Sequence, residues 1–409
     1  MERLKLKNLG PISDIDIVLK KINVFIGEQG VGKSTIAKLL TCLRDIYLQD
    51  CILNKKEDVV MQILSIYGLD GMFNDDTELS YSNDDLNVVV TYNDGMFRIE
   101  NRLHDEATFK RLTKLLIANS LEHVFSKQGI DITKCSNEEI DQHIKSHGRT
   151  LMSNMRLSLY CPAERGMVGV LSNSLASILV NEVPLPATLM EYMSFFEKSR
   201  HYFKTYSVDF LKLNYAIKNN EDYIEFDGKT VPLRQASSGI QSILPLLMVM
   251  DFCLKEKYFS SFTIEEPELN LFPSNQKELL RHVLSHTMSD GSKVESWALT
   301  THSPYILSIL NISLLAGTII KKYPQAREAV ESLLAKEYIV NPDDISVYAL
   351  AGKGSPQCES LLDANTGLIS VNYLDSVSEN ISNEFNALNR LLVQYVRSAN
   401  GYAGSKYNQ

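Results

Sequence analysis

The sequence predicts an α/β fold built around a mixed core sheet, and three observations carry that prediction. A short apolar run, Ile22 to Ile26, ends at Gly27, passes through a glycine-rich loop and enters a helical pattern at Ile36, Leu39, Leu40 and Leu43. Strand, glycine loop and helix in that order open an α/β core. Three later apolar segments, Leu157 to Cys161, Phe259 to Ile264 and Trp297 to Thr300, have the character of further buried strands. Composition agrees: 409 residues, 44% hydrophobic and 22% charged, describe a globular chain and exclude a disordered or fibrous one.

Taken in order, residues 2–26 read as strands. Ile15, Ile17 and Leu19 alternate with Asp14, Asp16 and Val18, after a turn at Gly10-Pro11. Residues 45–155 are polar, with acidic pairs at Asp75-Asp76 and Asp84-Asp85. Within them Val88 to Tyr92 and Met96 to Ile99 flank Asn93-Asp94-Gly95, a hairpin signal, and Ala107 to Phe125 reads as helical. This stretch is expected to be a mostly helical lobe inserted into a discontinuous core of residues 1–44 and 156–320. Residues 170–230 read as helices followed by the strand Tyr223 to Phe226, which Asp227-Gly228 ends. Ser237 to about Leu254 reads as a helix bent near Pro245, where proline removes a backbone donor. Residues 321–409 read as a helical extension, with Val377, Ile381, Phe385, Leu388 and Leu392 at three- and four-residue steps.

Forty-one Lys and Arg against 50 Asp and Glu leave a net charge of −9. That argues against wholesale coating of nucleic acid, while a local basic groove stays open. One stretch, residues 195–218, interleaves Phe195, Phe196, Tyr202, Phe203, Tyr206, Phe210 and Tyr215 with five Lys and Arg residues. It reads either as a DNA or RNA contact by charge and stacking or as an amphipathic lobe with a solvated basic edge. The six cysteines are scattered without a C-x-x-C pair, against a paired-cysteine zinc site or a disulfide scaffold. The N-terminus lacks a signal-like apolar run, and the longest apolar stretch, Ile243 to Met250, falls short of the ~20 residues of a spanning helix. A cytoplasmic protein without a membrane partner is expected.

The strongest chemical signal is Gly27-Glu28-Gln29-Gly30-Val31-Gly32-Lys33-Ser34-Thr35, a G-x-x-x-x-G-K-[ST] phosphate loop between a strand and a helix. Gly27, Gly30 and Gly32 let backbone N–H groups turn toward phosphate oxygens, and the helix start adds a favourable dipole. Lys33 is expected at the β- and γ-phosphates and Ser34 at Mg²⁺, with Thr35 closing the loop, so ATP and Mg²⁺ are the expected ligands. A second signal, Phe262 to Glu268, ends an apolar strand in carboxylates. Glu265 is expected to support Mg²⁺, directly or through water, and Glu266 to polarise the attacking water as general base. Ser237-Ser238-Gly239-Ile240-Gln241 opens a helix and reads equally as an ordinary cap or as a γ-phosphate site. Thr300-Thr301-His302-Ser303-Pro304 follows another strand, and His302 is either a γ-phosphate contact or a packed or surface histidine.

In order and spacing these four motifs resemble the ATP-binding-cassette (ABC) ATPases of the structural-maintenance (SMC), RecF and overcoming-lysogenization-defect (OLD) group, from Leu4 to about Leu310. Tyr160 to Arg165 and Glu266 to Pro273 further resemble the compact ATPases of bacterial antiphage systems such as Septu, PARIS and the retron-associated ones. The resemblance implies an ABC-ATPase head with N-terminal antiparallel strands, an inserted lobe and a helical C-terminus. It implies that Ser237, Ser238, Gly239 and Gln241 form the signature motif, facing the phosphate loop of a second subunit. Glu266 corresponds to the catalytic glutamate and His302 to the switch histidine, acting with Lys33. A homo-oligomer with composite ATP sites, controlling a separate nuclease or toxin, is the implied assembly. Two positions depart from the pattern: Ile240 replaces the second signature glycine, and Pro162 to Arg165 stands where a glutamine loop belongs. Glu164 and Arg165 are accordingly expected near the nucleotide.

OLD nucleases carry a C-terminal metal-dependent nuclease with a D-x-D pair. Here about 105 residues follow Pro304, with Asp343-Asp344 as their adjacent acids, while Asp14-Ile15-Asp16 lies on an alternating strand. No nuclease of the chain's own is expected, nor a long coiled coil, since residues 45–155 sustain no heptads. The expected function is the ATP-hydrolysing switch of a defence complex. A RecF-like DNA-repair ATPase and an ATP-bound scaffold with negligible turnover are the alternatives.

Overall fold

Strands with every second residue apolar need one shared buried face, and the first two strands supply it. In a computed structural model of the chain, β1 (Glu2–Leu9) and β2 (Ile12–Leu19) pair antiparallel, with Leu4 opposite Ile17, Leu6 opposite Ile15 and Leu9 opposite Ile12. All six of these side chains are buried. The structure describes residues 2–45, 48–49, 57–83, 86–93, 96–103, 136, 158–171, 181, 184–256, 259–288, 294–352, 356–370, 386, 388 and 390. Ala107 to Phe125 and, apart from Leu388, the helical pattern from Val377 to Leu392 lie outside these residues.

The strands β4 (Glu78–Ser82), β5 (Leu86–Asn93) and β6 (Met96–Leu103) complete a five-stranded antiparallel sheet in the order β2-β1-β4-β5-β6. β5 and β6 pair antiparallel as the hairpin reading expects, with Asn93 opposite Met96, while Asp94 and Gly95 lie outside the described residues. These strands belong to the stretch read as an inserted lobe, yet β4 pairs directly onto β1, so the first sheet draws on both sides of residue 45. Alternation alone does not record which distant strand becomes the neighbour.

The core sheet runs β15-β14-β3-β13-β12-β7, from β3 (Ile22–Gly27), β7 (Ser158–Cys161), β12 (Ser261–Glu265), β13 (Ser296–Thr301), β14 (Ile345–Leu350) and β15 (Cys358–Ser360). All pairs are parallel except β14 with β15, which makes the sheet mixed. β3, β7, β12 and β13 are buried along their whole length, as a sheet covered on both faces requires. Side chains alternate between two cores. Ile22, Val24, Ile26, Leu159, Trp297 and Leu299 enter one, where Trp297 stacks on Phe262 at 4.7 Å. Phe25, Tyr160 and Ala298 enter the other, together with the buried residues of β1 and β2 and helix α1 (Lys33–Leu43). Residues from 321 onward thus supply β14 of the core sheet in addition to helices, a pairing no local pattern announces.

The first core is covered by α3 (Ala187–Phe203), α4 (Ser238–Lys255), α5 (Pro273–Met288) and α6 (Pro304–Lys322), with α2 (Glu57–Ile66) packed into the second. α4 continues through Pro245. By length and composition α4 and α6 are apolar enough to cross a membrane, and 61% and 44% of their apolar windows are buried inside the fold. A third sheet, β11-β10-β9-β8, forms from β8 (Thr205–Val208), β9 (Leu213–Lys218), β10 (Glu221–Phe226) and β11 (Lys229–Pro232). Asn219-Asn220 and Asp227-Gly228 have positive φ at both positions and so make tight hairpins. Only one of these four strands was expected. Charged and polar residues mask the alternation of the others.

This third sheet decides between the readings of residues 195–218. Phe195, Phe196 and Tyr215 are buried, and Phe203, Tyr206 and Phe210 pack partly buried against the core. Tyr202 stays exposed. The aromatics therefore serve packing, and a stacking platform for nucleic acid is not what the stripe builds. Inside it, Arg200 and Tyr215 both donate to Asp222, each at 2.6 Å.

Candidate functional site

The phosphate loop hangs between two rigid pieces, the buried end of β3 and the start of α1. A Cβ at Gly27 would overlap the Leu350 carbonyl oxygen, because Leu350 of β14 pairs directly opposite. Gly32 has φ +104°, and a Cβ there would also lie 2.8 Å from Ile12. That conformation is accessible to glycine and strained for other residues. α1 starts without any side-chain cap, so the N–H groups of its first turn are left for an anion.

Lys33 is buried and donates to the carbonyls of Gly27 at 2.8 Å and Glu28 at 2.6 Å, folding the loop around its ammonium. Burial lowers its pKa, with the charges of Glu266, Glu268 and Glu265 opposing the shift. Ser34 is exposed at the loop's lip. The Thr35 hydroxyl turns the other way, 3.7 Å from Met72 Sδ, so Thr35 can offer phosphate its backbone rather than its side chain. An open cleft of about 240 Å³ is lined by Gly30, Gly32, Lys33, Ser34, Thr35, Glu266 and His302, among others.

Across the cleft, β12 ends in the two carboxylates. Glu265 is buried, and its Oε1 has no hydrogen-bond partner. A buried carboxylate oxygen without a partner, within reach of the Lys33 charge, fits a divalent cation. Its neighbour Tyr160 has a phenol pushed well up, first by burial and then by the Glu265 charge. Glu266 takes φ +43°, unusual for a residue with a side chain. Its N–H donates to Thr300 O at 2.9 Å, and its Oε1 lies 3.5 Å from His302 Nε2. The left-handed turn swings the Glu266 side chain out of the strand line and into the cleft.

Arg165 stands next to the cleft through the backbone of Glu266, which lines it: its guanidinium is fully buried and donates to the carbonyls of Glu265 and Glu266, each at 2.5 Å, and of Pro162 at 3.1 Å. It pins the backbone of both acids. Glu164 is exposed, outside the residues that line the cleft.

Two roles escaped the sequence. Glu268, buried, accepts from Thr301 Oγ1 at 2.6 Å and from His302 N at 2.9 Å, tying the histidine loop to the acid loop. Ser303 caps α6 by accepting from Tyr305 N, and donates to Gln276 Oε1 at 2.7 Å. The clue to Glu268 was three acids in four positions with only two assigned.

Ser237, Ser238, Gly239 and Gln241 do not line this cleft. Ser237 is the N-cap residue of α4, as the cap reading expects, but its side chain makes no cap bond, and both serines are exposed. Gln241 Nε2 is turned back onto Leu233 O and Arg234 O. Gly239 fits tightly against the acid loop, where an added Cβ would lie 2.7 Å from Asn270 O.

No curated protein matches this chain in sequence. Among solved structures it is similar to an SMC head bound to the C-winged helix domain of ScpA, at 13% identity and TM-score 0.40 over 88% of this chain and 95% of that one. It is also similar to the SMC head domain from Thermotoga maritima, at 12% identity and TM-score 0.35 over 75% and 90% of the two chains. For the Pyrococcus furiosus SMC head bound to the C-terminal domain of ScpA, the values are 10%, 0.39, 93% and 100%. Residues 188–307 match the family model described as the AAA ATPase domain, a stretch that holds the S-S-G-x-Q segment, the acid pair and the T-H-S-P loop.

Proposed function

We propose that this chain is an ATPase whose complete site forms between two copies, serving as the nucleotide switch of a bacterial antiphage complex. The observation that carries the ATPase reading is the convergence of Lys33, Ser34, Glu266 and His302 on one cleft, with the buried Glu265 preceding Glu266 at the end of β12. ATP would lay its phosphates along the loop, with Lys33 exchanging its two carbonyl partners for β- and γ-oxygens. Mg²⁺, held by Ser34 and Glu265, would neutralise phosphate charge. Glu266 takes the proton of the attacking water, and His302, beside it, faces the γ-phosphate.

The composite site is supported by Ser237 and Ser238, which sit exposed, uncapped and outside the cleft of their own chain. Two copies meeting signature to loop would each complete the other's site through the γ-phosphate, and hydrolysis would remove that link. Moving such an equilibrium from 1:99 to 99:1 takes roughly 5.5 kcal/mol of differential binding. Several charge-assisted hydrogen bonds supply that order of energy. The defence role, the cytoplasmic setting and a separate nuclease or toxin as effector rest on the motif resemblance.

The test is ATP turnover per subunit across protein concentration, for the wild type and Glu266→Gln. The composite site predicts specific activity that rises with concentration. It also predicts that Glu266→Gln loses ~10²- to 10⁴-fold in turnover while accumulating as an ATP-bound oligomer in sedimentation. ATP binding with negligible turnover at every concentration, unaltered in the variant, would leave the scaffold reading instead.

A further inference from the structure

Away from the ATP cleft, three ligating side chains converge. Asp251 on α4 and His282 and His286 on α5 bring one carboxylate oxygen and two ring nitrogens within 4.8 Å of one another, and this is the one such group among the described residues. His282 Nε2 lies 2.8 Å from Asp251 Oδ1, His286 Nε2 lies 3.2 Å from the same oxygen, and the two nitrogens are 3.3 Å apart. The histidines are four residues apart, which places them one turn above the other on one face of the helix.

We propose that Asp251, His282 and His286 form a binding site for a divalent transition metal of the zinc class, with three protein ligands and one open position. The triangle has the right size. Zinc–ligand bonds of about 2.0–2.1 Å in a tetrahedron put neighbouring ligand atoms roughly 3.3–3.4 Å apart; the observed edges are 2.8, 3.2 and 3.3 Å, so two match and the His282–Asp251 edge opens by about 0.5 Å on binding. A metal about 2.05 Å from all three atoms would sit roughly 1 Å above their plane, with its fourth position facing away. Two imidazoles and a single carboxylate suit Zn²⁺ and its neighbours, whereas Mg²⁺ and Ca²⁺ need oxygen donors.

Hydrogen bonding alone explains the cluster less well. Either Oδ1 accepts from both imidazoles, with their N–H groups crowded at 3.3 Å, or one ring nitrogen is unprotonated and sets its lone pair against the carboxylate oxygen. The other carboxylate oxygen is already committed, since Tyr206 of β8 donates to Oδ2 at 2.7 Å. Such a partner orients a ligating carboxylate and leaves its remaining oxygen for the ion. The side chains of His282, His286 and Asp251 keep 26%, 33% and 13% of their surface, so an ion can enter from solvent.

None of the three residues lines the cleft of the glycine-rich loop. Asp251 lies thirteen residues along α4 from Ser238, about 20 Å at 1.5 Å per residue. An ion there would join α4, whose first turn carries the exposed serines, to α5, which follows the acid loop, with Tyr206 of the third sheet as outer support.

The experiment strips the full chain with chelator and titrates it with Co²⁺ and with Zn²⁺. The expected result is one ion per chain, with the intense visible d–d bands of tetrahedral cobalt that zinc displaces stoichiometrically. His286→Ala and Asp251→Asn should abolish both, and Tyr206→Phe should weaken binding ~10- to 100-fold while leaving the stoichiometry intact. Far-ultraviolet circular dichroism and ATP binding confirm that each variant is folded. X-ray absorption of the zinc-loaded wild type needs no variant: it should show a nitrogen and oxygen shell containing imidazoles. Substoichiometric binding, spectra unchanged in the variants, or sulfur in the shell would overturn the proposal and leave a hydrogen-bonded triad only.

Discussion

Replacing Arg165 by methionine separates two accounts of the acid loop. Methionine keeps most of the buried volume and removes three hydrogen bonds, two of them at 2.5 Å to the carbonyls of Glu265 and Glu266. Hydrogen bonds to a charged group contribute about 1.5–3 kcal/mol each, an upper sum of roughly 4.5–9 kcal/mol. Several kcal/mol return because a guanidinium need no longer be taken out of water. Burial also lowers the pKa of this group, the sign of an environment that disfavours its charge. The net loss is expected at about 3 kcal/mol, within the 5–15 kcal/mol stability typical of a folded domain. The larger effect is on chemistry. Glu266 holds φ +43° between its N–H bond to Thr300 and its carbonyl bond to Arg165. Without the second anchor the carboxylate drifts, and a shift of about 1 Å costs ~10²-fold in rate. Steady-state ATP hydrolysis and urea denaturation measure the two consequences: kcat falling ~10- to 100-fold with KM for ATP within twofold, and a lowered denaturation midpoint. A raised KM with unchanged kcat would refute this reasoning and give Arg165 a part in nucleotide binding instead.

Gly27→Ala tests the role of β14. Its methyl group would overlap the Leu350 carbonyl, so ATP affinity should fall at least tenfold by fluorescent-nucleotide titration, and retained affinity would mean that the strand pair yields easily. The pair of Glu2 and Arg44 predicts a pH dependence. Arg44 binds both Glu2 oxygens, at 2.8 and 2.9 Å, and Tyr81 donates to one of them at 2.8 Å. Burial raises the Glu2 pKa, but Arg44 and Tyr81 outweigh it and hold the carboxyl below its ordinary value. Its stabilisation is therefore complete above the unfolded value of about 4.3 and disappears as pH falls through the folded value. Glu2→Gln should cost about 3 kcal/mol at pH 7, and its difference from wild type should shrink below about pH 4 in chemical denaturation. A difference constant with pH would show that the charge does not matter there.

How much of the site could be read from sequence depends on the range of the interaction. The phosphate loop was legible because its requirements are local: positive φ at Gly32, a helix start without a side-chain cap, and Lys33 folding back within six residues. The acid pair was legible because a buried strand that ends in carboxylates is itself unusual. Glu268 was visible in the motif, yet its bonds to Thr301 and His302 cross more than thirty residues of intervening chain. Arg165 was noticed, but its anchoring role was not legible: two of its three carbonyl partners lie about a hundred residues away, and only the parallel pairing of β7 with β12 makes them neighbours.

By itself, then, the sequence determined the α/β class, the phosphate loop, the acids of β12 and the alternation of β1 and β2, since each depends on backbone geometry and period within a short window. Tertiary structure alone decided that β4 to β6 extend the first sheet and that β14 lies beside β3 and leaves room only for glycine at Gly27. It also turned the aromatics of residues 195–218 inward and brought Asp251 to His282 and His286. These are choices of partner, governed by which surfaces bury each other and which polar groups satisfy each other in three dimensions, and a one-dimensional pattern carries the demand for a partner without naming it.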